Sequence, residues 1–574
     1  MPTSHPGPVL DRWTHAQWSP FTHGVSNASL RMAFDDWLTH LLHNPAEQLA
    51  LTQKAWNAGQ QWLGYAMQAH QTGCTPCIEP MVQDTRFAHA SWHDWPFNAM
   101  GQLFLLTQQW WHDATTGVRG VSPHHEAVVD FTLRQVLDTV SPANFVITNP
   151  EVLACTVQTL GGNLQRGFQN WLEDLQRLRA NAPPKGTEAW QVGVNVAVTP
   201  GKVIYRNRLI ELIQYAPTTD QVWAEPVLIV PSWIMKYYIL DLSPDNSLIR
   251  YLVDQGHTVL ALSWANPTAD DRDLDLDDYL RMGVMDALAA VGSVVPQQKV
   301  HAVGYCLGGT LLTIAAAAMA RDGDHRLASV TLLAAQTDFT EPGELELFID
   351  DSQVAHLEDI MWDQGFLDSR QMAGAFQLMN SGDLVWSRML RDYLLGQRSP
   401  VSDLMAWNAD GTRLPYRMHS EYLRHMFLNN DLASGRYHVG DKPVALTAIT
   451  CPIYAIGTAR DHVAPWRSVH KLHLLTNVDT TFCLTSGGHN VGIVNPPGVP
   501  GRSYQVLMRL HDGPYLDPDE WQQAAVRHEG SWWPHWVAWL RNQSQAHIAP
   551  PAMGAMARGL VPLCDAPGTY VLQK

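Results

Sequence analysis

The sequence predicts an α/β protein in which a helical N-terminal region precedes a domain built on a mostly parallel β-sheet. Two hydrophobic patterns, separated by a linker, predict this class of fold. Residues 25 to about 185 carry apolar side chains at helical spacing, whereas short apolar runs alternate with helical patterns from about residue 190. The linker between them, Asn181-Ala-Pro-Pro-Lys-Gly186, is rich in residues that end helices. At 574 residues the chain is also too long for one hydrophobic core.

The first part of the chain is predicted to be a helical domain over residues 1–187. Its apolar residues recur at the i, i+3, i+4, i+7 spacing of a single helix face. They are Phe34, Trp37, Leu38, Leu41 and Leu42, followed by Val152, Val157, Leu160, Phe168, Trp171, Leu172 and Leu175. We expect these stripes to form the core of the helical domain.

The second part, residues 188–574, is predicted to contain the parallel sheet. Its candidate strands are Val227 to Val230, Thr258 to Leu262, Val300 to Val303, Ser329 to Leu333, Ile453 to Ile456 and Phe482 to Leu484. An insertion of about 110 residues, 338–447, separates the fourth strand from the fifth and shows no clear strands. Long insertions at the carboxyl edge of such a sheet commonly cover a ligand site, so we predict a lid.

The pentapeptide Gly304-Tyr305-Cys306-Leu307-Gly308 has the pattern of a nucleophile elbow with cysteine at its centre. A predicted strand precedes it and a long helical pattern follows, which is the strand–turn–helix context that such an elbow requires. The flanking glycines let the strand and helix pass closely, and the helix N-terminus stabilises negative charge on the nucleophile. The alternative is a small buried cysteine in an ordinary βα turn. The context favours a catalytic Cys306.

An acid and a base follow the elbow in the order that α/β-hydrolases use. Asp461 lies beyond the fifth predicted strand, and His489 lies beyond the sixth after a Gly-Gly pair. With 26 histidines in the chain, chance matches are easy. His462, His470 and His473 fall in or near the helix after Asp461, where packing or solvated roles are favoured. For Asp461 the alternative is a simple helix cap. The order predicts an α/β-hydrolase-like core with Cys306, Asp461 and His489 as its triad.

Attack of the nucleophile on a carbonyl group creates an oxyanion that needs two backbone N–H donors. One normally belongs to the residue after the nucleophile, here Leu307. The other is expected from the loop after the first predicted strand, from Ile234 or else from Trp233. This loop could instead do no more than shape the pocket wall.

Composition excludes several classes of protein. The net charge of −17 argues against a nucleic-acid binder. The start, Met1-Pro2-Thr3-Ser4-His5, shows no targeting pattern, and no run approaches the ~18 apolar residues of a membrane span, so we expect a cytoplasmic protein. Seven cysteines suggest a reducing compartment. The single pair Cys74 and Cys77 supplies too few ligands for a structural zinc, so we expect no metal, and the role of this pair stays open.

The aromatic run 530–540 is expected to be core or a dimer contact.

Several separated motifs follow one another in a fixed order along the chain. They are Asp84-Thr-Arg-Phe87, Ser141-Pro-Ala-Asn-Phe145, Lys236-Tyr-Tyr-Ile-Leu-Asp-Leu242, Asp254-Gln-Gly-His-Thr-Val259, Asp338-Phe-Thr-Glu-Pro-Gly343, Asn380-Ser-Gly-Asp-Leu-Val-Trp386, Trp407-Asn-Ala-Asp410, Asp461-His-Val-Ala-Pro-Trp466, Gly488-His489 and Asn495-Pro-Pro497. In these motifs the chain resembles the polyhydroxyalkanoate synthases, cysteine-dependent polymerases of storage polyester, and their class I branch in particular. Before about residue 80 the likeness is loose.

The resemblance implies a homodimeric cytoplasmic enzyme at the surface of polyester granules, among granule-associated proteins. It would polymerise (R)-3-hydroxyacyl groups from coenzyme A thioesters and need no cofactor. Cys306 would hold the growing chain as a thioester, His489 would deprotonate the thiol, and Asp461 would assist the 3-hydroxyl of the incoming monomer.

The chain departs from the family at two places. It reads Pro231-Ser-Trp-Ile-Met-Lys236 where Pro-Pro-Trp-Ile-Asn-Lys is usual, and Ser-Gly-Gly-His-Asn-Val-Gly around His489 where Ser-Gly-His-Ile-Ala-Gly is commoner. The triad is intact, but monomer preference is not determined. Two alternatives stay open: a cysteine-dependent hydrolase, either thioesterase or depolymerase, and a non-catalytic granule-coating protein.

Overall fold

The computed structural model describes residues 10–17, 24–71, 74–81, 84–379 and 381–574. The chain forms two compact units. The sheet unit comprises Met1–Ser19, Gly186–Met372 and Val401–Lys574, and the helical unit comprises Pro20–Lys185 and Ala373–Pro400. The chain start and Asn380, both used in the sequence analysis, lie outside the described residues. The predicted limits 1–187 and 188–574 and the lid 338–447 stay predictions.

The helices and strands of the described residues are numbered in chain order. The α-helices are α1 (10–17), α2 (Asn27–His43), α3 (Pro45–Gln68), α4 (Phe97–Thr115), α5 (Pro123–Thr139), α6 (Pro150–Gln158), α7 (Gly162–Arg179), α8 (Leu248–Asp254), α9 (Leu276–Asp278), α10 (Asp286–Val294), α11 (Leu307–Arg321), α12 (Asp351–Gln364), α13 (Ser369–Met379), α14 (Asp403–Asn408), α15 (Tyr416–Tyr422), α16 (Trp466–His470), α17 (Leu472–Leu475), α18 (Pro518–Ala524) and α19 (Trp533–Asn542). Short 3-10 and π-helical turns lie between them. None of the helices in these ranges combines the length and hydrophobicity that a membrane span needs.

The strands are likewise numbered in chain order. They are β1 (Gly201–Arg206), β2 (Ile210–Tyr215), β3 (Val222–Trp223), β4 (Val227–Val230), β5 (Val259–Trp264), β6 (Val300–Tyr305), β7 (Leu327–Leu333), β8 (Phe366–Leu367), β9 (Leu414–Pro415), β10 (His438–Val439), β11 (Lys442–Pro443), β12 (Ile453–Thr458), β13 (Thr480–Thr485), β14 (Ser503–Arg509), β15 (Val526–Glu529), β16 (His547–Ile548) and β17 (Cys564–Asp565). Those from β8 to β11, in the predicted lid, are only two residues long.

The helical unit is built from α2 to α7, which confirms the predicted helical N-terminal region. Two of these helices are capped by serine side chains: the Ser26 and Ser122 hydroxyls accept hydrogen bonds from first-turn N–H groups of α2 and α5. Trp37 is buried and donates its indole N–H to the carbonyl of Ala114 on α4 at 2.9 Å. This bond fixes α2 against α4.

The prediction that the apolar stripes are core is wrong for part of them. Val152 is fully buried, yet these predicted core residues are exposed: Leu38, Leu42, Val157, Leu160, Phe168, Trp171 and Leu172. Leu38 directly follows Trp37, and consecutive side chains of an α-helix point about 100° apart because the helix has 3.6 residues per turn. The spacing of apolar residues identifies a broad face of a helix, and the elements that pack against the helix decide which part of that face is buried.

The sheet unit contains an eleven-stranded sheet in the order β15-β14-β13-β12-β7-β6-β4-β5-β2-β1-β17. The central strands from β5 to β13 in this order pair in parallel, and the strands outside them pair antiparallel. The central strands coincide with the six predicted ones, which confirms the predicted class of fold. The antiparallel edge strands are not among the predicted ones. Residues of intermediate burial interrupt β1 and β14, and the buried polar residues Glu211 and Gln214 interrupt the apolar run of β2.

The strand order places a binding position at one point of the sheet. Strand β4 lies between β5 and β6 in the sheet. The chain passes from β4 to β5 on one side of it and then crosses to β6 on the other side, so the direction in which strands are added reverses at β4. In open α/β sheets, ligands bind at the carboxyl ends of the strands beside such a reversal. The loop after β4 and the turn after β6 both lie there.

The aromatic run 530–540 lies in the core of the sheet unit. Trp532, Trp533 and Trp536 are all at most 1% exposed. Trp532 donates its indole N–H to the carbonyl of Gly492 at 2.9 Å, and Trp533 donates to the carbonyl of Ile493 at 3.0 Å. Of the two roles expected for this run, the structure shows the core role, and these bonds anchor the segment that follows His489.

Burial of histidines makes the stability of the sheet unit dependent on pH. Burial is the largest cause that lowers the pKa of each, to about 3 in His257 and His473 and to about 4 in His301, His419 and His470. The unfolded chain protonates them near pH 6.5. Between about pH 6.5 and 4 the unfolded state therefore binds more protons than the folded state. As the pH falls through this range, each histidine lowers the free energy of unfolding by about 1.4 kcal/mol per pH unit.

We expect the urea midpoint of the sheet unit to fall markedly between pH 7 and pH 5.5. His473→Leu should reduce this fall, because neither His473 ring nitrogen has a hydrogen-bond partner among the described residues. The exposed His438 provides the matched control, and His438→Asn should leave the fall unchanged. Equal midpoints at the two pH values would contradict the prediction.

Candidate active site

Cys306 lies in a sharp turn between β6 and α11. Its backbone angles are φ 52° and ψ −124°, a region in which residues other than glycine are strained by about 1–3 kcal/mol. The Cys306 N–H donates to the carbonyl of Leu333 on β7 at 2.9 Å, and its carbonyl accepts from the Gly309 N–H at 2.8 Å. These bonds hold the strained turn that a nucleophile elbow requires.

The glycines of the elbow are required by close backbone approach. A Cβ at Gly304 would lie 2.3 Å from Gly309 Cα, and a Cβ at Gly308 would lie 2.2 Å from the Val230 carbonyl oxygen and 2.4 Å from that of Pro231. Real Cβ contacts are not this short, so neither position accepts a side chain without movement of the backbone. The same approach brings the loop after β4 against the first turn of α11.

The Cys306 thiol is half-buried and makes no capping hydrogen bond to α11. The first N–H groups of an α-helix, here those of Leu307 and Gly308, have no acceptor within the helix. Free N–H groups at a helix N-terminus stabilise negative charge that develops beside them. A partly accessible sulfur beside free N–H groups suits acyl transfer.

His489 and Asp461 come together at the carboxyl ends of two adjacent strands. Asp461 follows β12, His489 follows β13, and these strands pair in parallel. His489 Nδ1 lies 2.8 Å from Asp461 Oδ2. The two loops are joined by the Arg460 N–H, which donates to the Gly487 carbonyl at 2.9 Å.

The Asp461 carboxylate has a hydrogen-bond partner in every direction. Its Oδ2 accepts from Thr458 Oγ1 at 2.8 Å in addition to His489, and its Oδ1 accepts from the N–H groups of Val463 and Ala464 at 2.9 and 2.8 Å. The side chain has no exposed surface. Burial by itself raises the pKa of Asp461, but His489 and these hydrogen bonds outweigh it and lower the pKa below its usual value.

The alternative of Asp461 as a simple helix cap does not hold for the following helix. That helix, α16, begins at Trp466, and Pro465 occupies its N-cap position. Asp461 instead caps the tight turn through Val463 and Ala464 while its other oxygen faces His489.

His489 interacts with acid on one side and with the cysteine on the other. Burial by itself lowers the pKa of this imidazole, but Asp461 and, next, Cys306 outweigh it and raise the pKa well above its usual value. With Nδ1 bonded to Asp461, Nε2 is the nitrogen that remains for the thiol. The arrangement can accept the thiol proton at Nε2 and stabilise the imidazolium that results.

The histidines that compete with His489 lie elsewhere. His462 pairs with Glu344 at 3.3 Å, and that hydrogen bond raises its pKa. His470 and His473 are buried beside the ring of Phe482, with their ring centroids 5.0 and 6.0 Å from it. Both have packing roles, as the sequence favours.

The two candidates for the second oxyanion donor differ in their contacts. The Ile234 N–H donates to Ser232 Oγ at 3.2 Å, so it is already engaged inside its own loop. Among the described residues no acceptor is found for the Trp233 N–H. The Trp233 side chain is buried, with its ring centroid 6.3 Å from that of Tyr422. The free N–H favours Trp233, the second choice from the sequence.

Two residues beside the elbow escaped the sequence analysis. Tyr305 directly precedes the nucleophile and donates its hydroxyl to Asn490 Oδ1 at 2.6 Å, which connects the elbow with the neighbour of His489. Tyr422 lies close enough to Cys306 for the sulfur to add to the effect of burial, and both raise the pKa of its phenol. Asn490 stands at one of the departures from the family pattern, and that departure was the available signal.

The fold and the elbow together define an α/β-hydrolase-type protein with a cysteine at the centre of the elbow. Three family models match the chain. Residues 83–252 match "Poly-beta-hydroxybutyrate polymerase (PhaC) N-terminus", and residues 5–46 match "Poly-beta-hydroxybutyrate polymerase N terminal". Residues 225–496 match "alpha/beta hydrolase fold".

Relatives match most of the chain. It is 41% identical over 503 residues to the poly(3-hydroxyalkanoate) polymerase of Methylorubrum extorquens, covering 87% of this chain and 82% of that one. It is 36% identical to the PhaC subunit of Cupriavidus necator, covering 86% and 84%. Poly(3-hydroxyalkanoate) polymerase 2 of Ectopseudomonas oleovorans is 32% identical over 95% of this chain and 94% of its own. The chain belongs to the poly(3-hydroxyalkanoate) polymerase family.

Part of the chain is also similar to a solved structure. It is a monoacylglycerol lipase from Paleococcus ferrophilus, with a TM-score of 0.31, 13% identity, and coverage of 58% of this chain and 99% of that chain.

The remaining cysteine pair lies outside this site. Cys74 and Cys77 are both free and half-buried, and the Cys77 thiol lies 3.6 Å from the Gln61 carbonyl oxygen. Burial is the largest cause that raises the pKa of Cys77. Within the described ranges no cluster of three or more metal-ligating side chains is found.

Proposed function

We propose that this protein is an acyltransferase that polymerises (R)-3-hydroxyacyl groups from coenzyme A thioesters into a polyester, with the chain held as a thioester on Cys306. The observation that carries the proposal is the elbow cysteine facing a buried His489–Asp461 pair in a chain of the polymerase family. The elbow and pair supply a nucleophile and a base, and the family supplies the substrate class.

The first half of the reaction transfers the acyl group to Cys306. His489 Nε2 takes the thiol proton, and the thiolate attacks the thioester carbonyl. The Leu307 N–H and a second donor, Trp233 or Ile234, stabilise the oxyanion. When the carbon–sulfur bond to coenzyme A breaks, the leaving thiolate recovers the proton from the His489 imidazolium.

The second half extends the chain. The 3-hydroxyl of an incoming monomer, still joined to coenzyme A, gives its proton to His489 and attacks the Cys306 thioester. The chain passes to the monomer oxygen as its bond to the Cys306 sulfur breaks, and the Cys306 thiolate recovers the proton from the His489 imidazolium. The free Cys306 thiol then repeats the first half on the lengthened thioester and releases coenzyme A. Because both halves use the same base, Asp461 acts in each of them by holding His489 in the required tautomer.

The cytoplasmic granule location, granule-associated partners, homodimer and absence of a cofactor belong to the same proposal. They rest on the family resemblance.

Purified protein supplied with (R)-3-hydroxybutyryl-CoA tests the function. We expect polyester and one free coenzyme A per monomer incorporated, both measured by chromatography, and neither product with Cys306→Ala. Free 3-hydroxybutyrate released in step with coenzyme A would mean that water is the acceptor and the protein is a hydrolase. If neither this thioester nor longer 3-hydroxyacyl-CoA releases coenzyme A, the protein would be a coat protein.

A further inference from the structure

The loop 231–236, which carries both candidates for the second oxyanion donor, ends at the buried cation Lys236. The Lys236 side chain is 2% exposed. Its Nζ donates to the carbonyls of Val571 and Gln573, the latter at 2.6 Å, and lies 3.6 Å from Asp410 Oδ1. A buried ammonium is costly without such partners, and burial lowers the pKa of Lys236 to about 8. A charge is therefore buried at the end of the loop 231–236.

A second set of contacts holds the carbonyl groups of the same loop. The Thr412 hydroxyl lies within hydrogen-bond distance of the Trp233 carbonyl, at 2.8 Å, and of the Ile234 carbonyl, and it can donate to either. The Thr412 N–H donates to the Ile234 carbonyl at 3.4 Å. Trp407 donates its indole N–H to the Lys236 carbonyl at 2.7 Å. Three carbonyls of one short loop are thus fixed by the segment 407–413.

The two sets of contacts are joined to each other. Lys574 Nζ lies 2.8 Å from Asp410 Oδ1, and the Lys574 carbonyl accepts from Arg413 Nη2 at 2.9 Å. Asn266 bridges the same two segments: its N–H donates to Gln573 Oε1 at 2.7 Å, and its Oδ1 accepts from the Arg413 N–H at 2.9 Å. We call Lys236 with the segments 407–413 and 570–574 the brace.

A fixed carbonyl also fixes the neighbouring N–H. The Trp233 carbonyl and the Ile234 N–H belong to one planar peptide group, and the Trp233 N–H is joined to that plane through a single Cα. We propose that the brace positions the loop 231–236 so that it can donate to the oxyanion, with Lys236 as a positioning residue. The proposal needs only that Cys306 is acylated through a tetrahedral oxyanion, and to that extent it rests on the proposed function.

The proposal predicts that the brace affects one reaction of the Cys306 thiol and not another. Acylation by p-nitrophenyl acetate forms the Cys306 sulfur–carbon bond through an oxyanion and then expels p-nitrophenolate. Alkylation by iodoacetamide forms a sulfur–carbon bond by direct displacement of iodide, and no oxyanion forms. A donor misplaced by about 1 Å can slow the first reaction about a hundredfold, whereas the second needs only the thiol and His489.

Lys236→Met in the full chain tests the role of the brace. We expect the rate of the p-nitrophenolate burst to fall at least about tenfold, with the rate of Cys306 alkylation changed less than about twofold. Lys202→Met is the matched control, because Lys202 pairs with Asp565 and ties β17 to β1 without touching the loop 231–236. This control should leave both rates unchanged.

Thr412→Val keeps the test decisive if Lys236→Met does not fold. Valine has nearly the shape of threonine and removes only the hydroxyl that contacts the Trp233 and Ile234 carbonyls. We expect the same selective loss of acylation. Acylation at the wild-type rate in the folded variants, or parallel loss of acylation and alkylation, would overturn the proposal. The function is tested separately by (R)-3-hydroxybutyryl-CoA, so a wild-type protein that reacts with the nitrophenyl ester alone would refute the polymerase and leave the brace standing.

Discussion

Replacement of Cys306 by alanine is expected to abolish covalent acylation and to reduce turnover at least about 10⁴-fold. The thiol is the nucleophile in both halves of the proposed reaction, and no other described cysteine faces the His489–Asp461 pair. The measurement is intact-protein mass after exposure to (R)-3-hydroxybutyryl-CoA, together with the rate of coenzyme A release. A mass increase of one acyl group in Cys306→Ala would overturn the assignment.

Cys451→Ala and Cys483→Ala are the controls for that experiment. Burial raises the pKa of the Cys451 thiol to about 11 and that of the Cys483 thiol to about 12, so both stay protonated and unreactive at neutral pH. Both variants should acylate at close to the wild-type rate. Cys483 is fully buried, and its replacement should cost about 1 kcal/mol of stability through the small cavity it leaves.

Replacement of Asp461 by asparagine is expected to reduce activity about 10⁴-fold without loss of the fold. The amide oxygen can keep the bonds from the Val463 and Ala464 N–H groups, which turns the NH₂ group towards Thr458 and His489. His489 Nδ1 must then accept a hydrogen bond, so the proton moves to Nε2. An imidazole with a proton on Nε2 cannot take the proton of the Cys306 thiol.

The Asp461→Asn variant also separates two roles of the acid. If Asp461 only orients His489, the first acylation and later elongation fall by the same factor, since both need the same base. The family resemblance implies that Asp461 acts on the 3-hydroxyl of the monomer, and elongation would then fall further than acylation. The fully bonded, unexposed carboxylate supports the first outcome. Rapid-quench measurement of the two steps decides between them, and a larger loss in elongation would contradict our expectation.

The strands and the elbow could be predicted from the sequence because their signals are local. A strand buried on both faces is a short apolar run, and β4 matches its predicted limits, Val227–Val230. The elbow glycines are visible in the chain because close approach of backbone excludes every other residue there. The order Cys306, Asp461, His489 follows from strand ends alone.

The edges of the sheet and the exposed apolar residues could not be predicted in this way. In β14, buried residues alternate with partly exposed ones, and in α2 the exposed Leu38 adjoins the buried Trp37. Their environment depends on which elements pack beside them, and that information is distributed over distant parts of the chain.

The sequence by itself determined the class of fold, the position of the elbow with Cys306 at its centre and the family, because each depends on a local pattern or on motifs in a fixed order. Only the tertiary structure decided the state of the N–H groups around Cys306. Residues of the segments 407–413 and 570–574 hold the loop on which Trp233 and Ile234 lie. Hydrogen bonds between residues far apart in the chain have no sequence signature, since their geometry exists only once the sheet has brought both ends together.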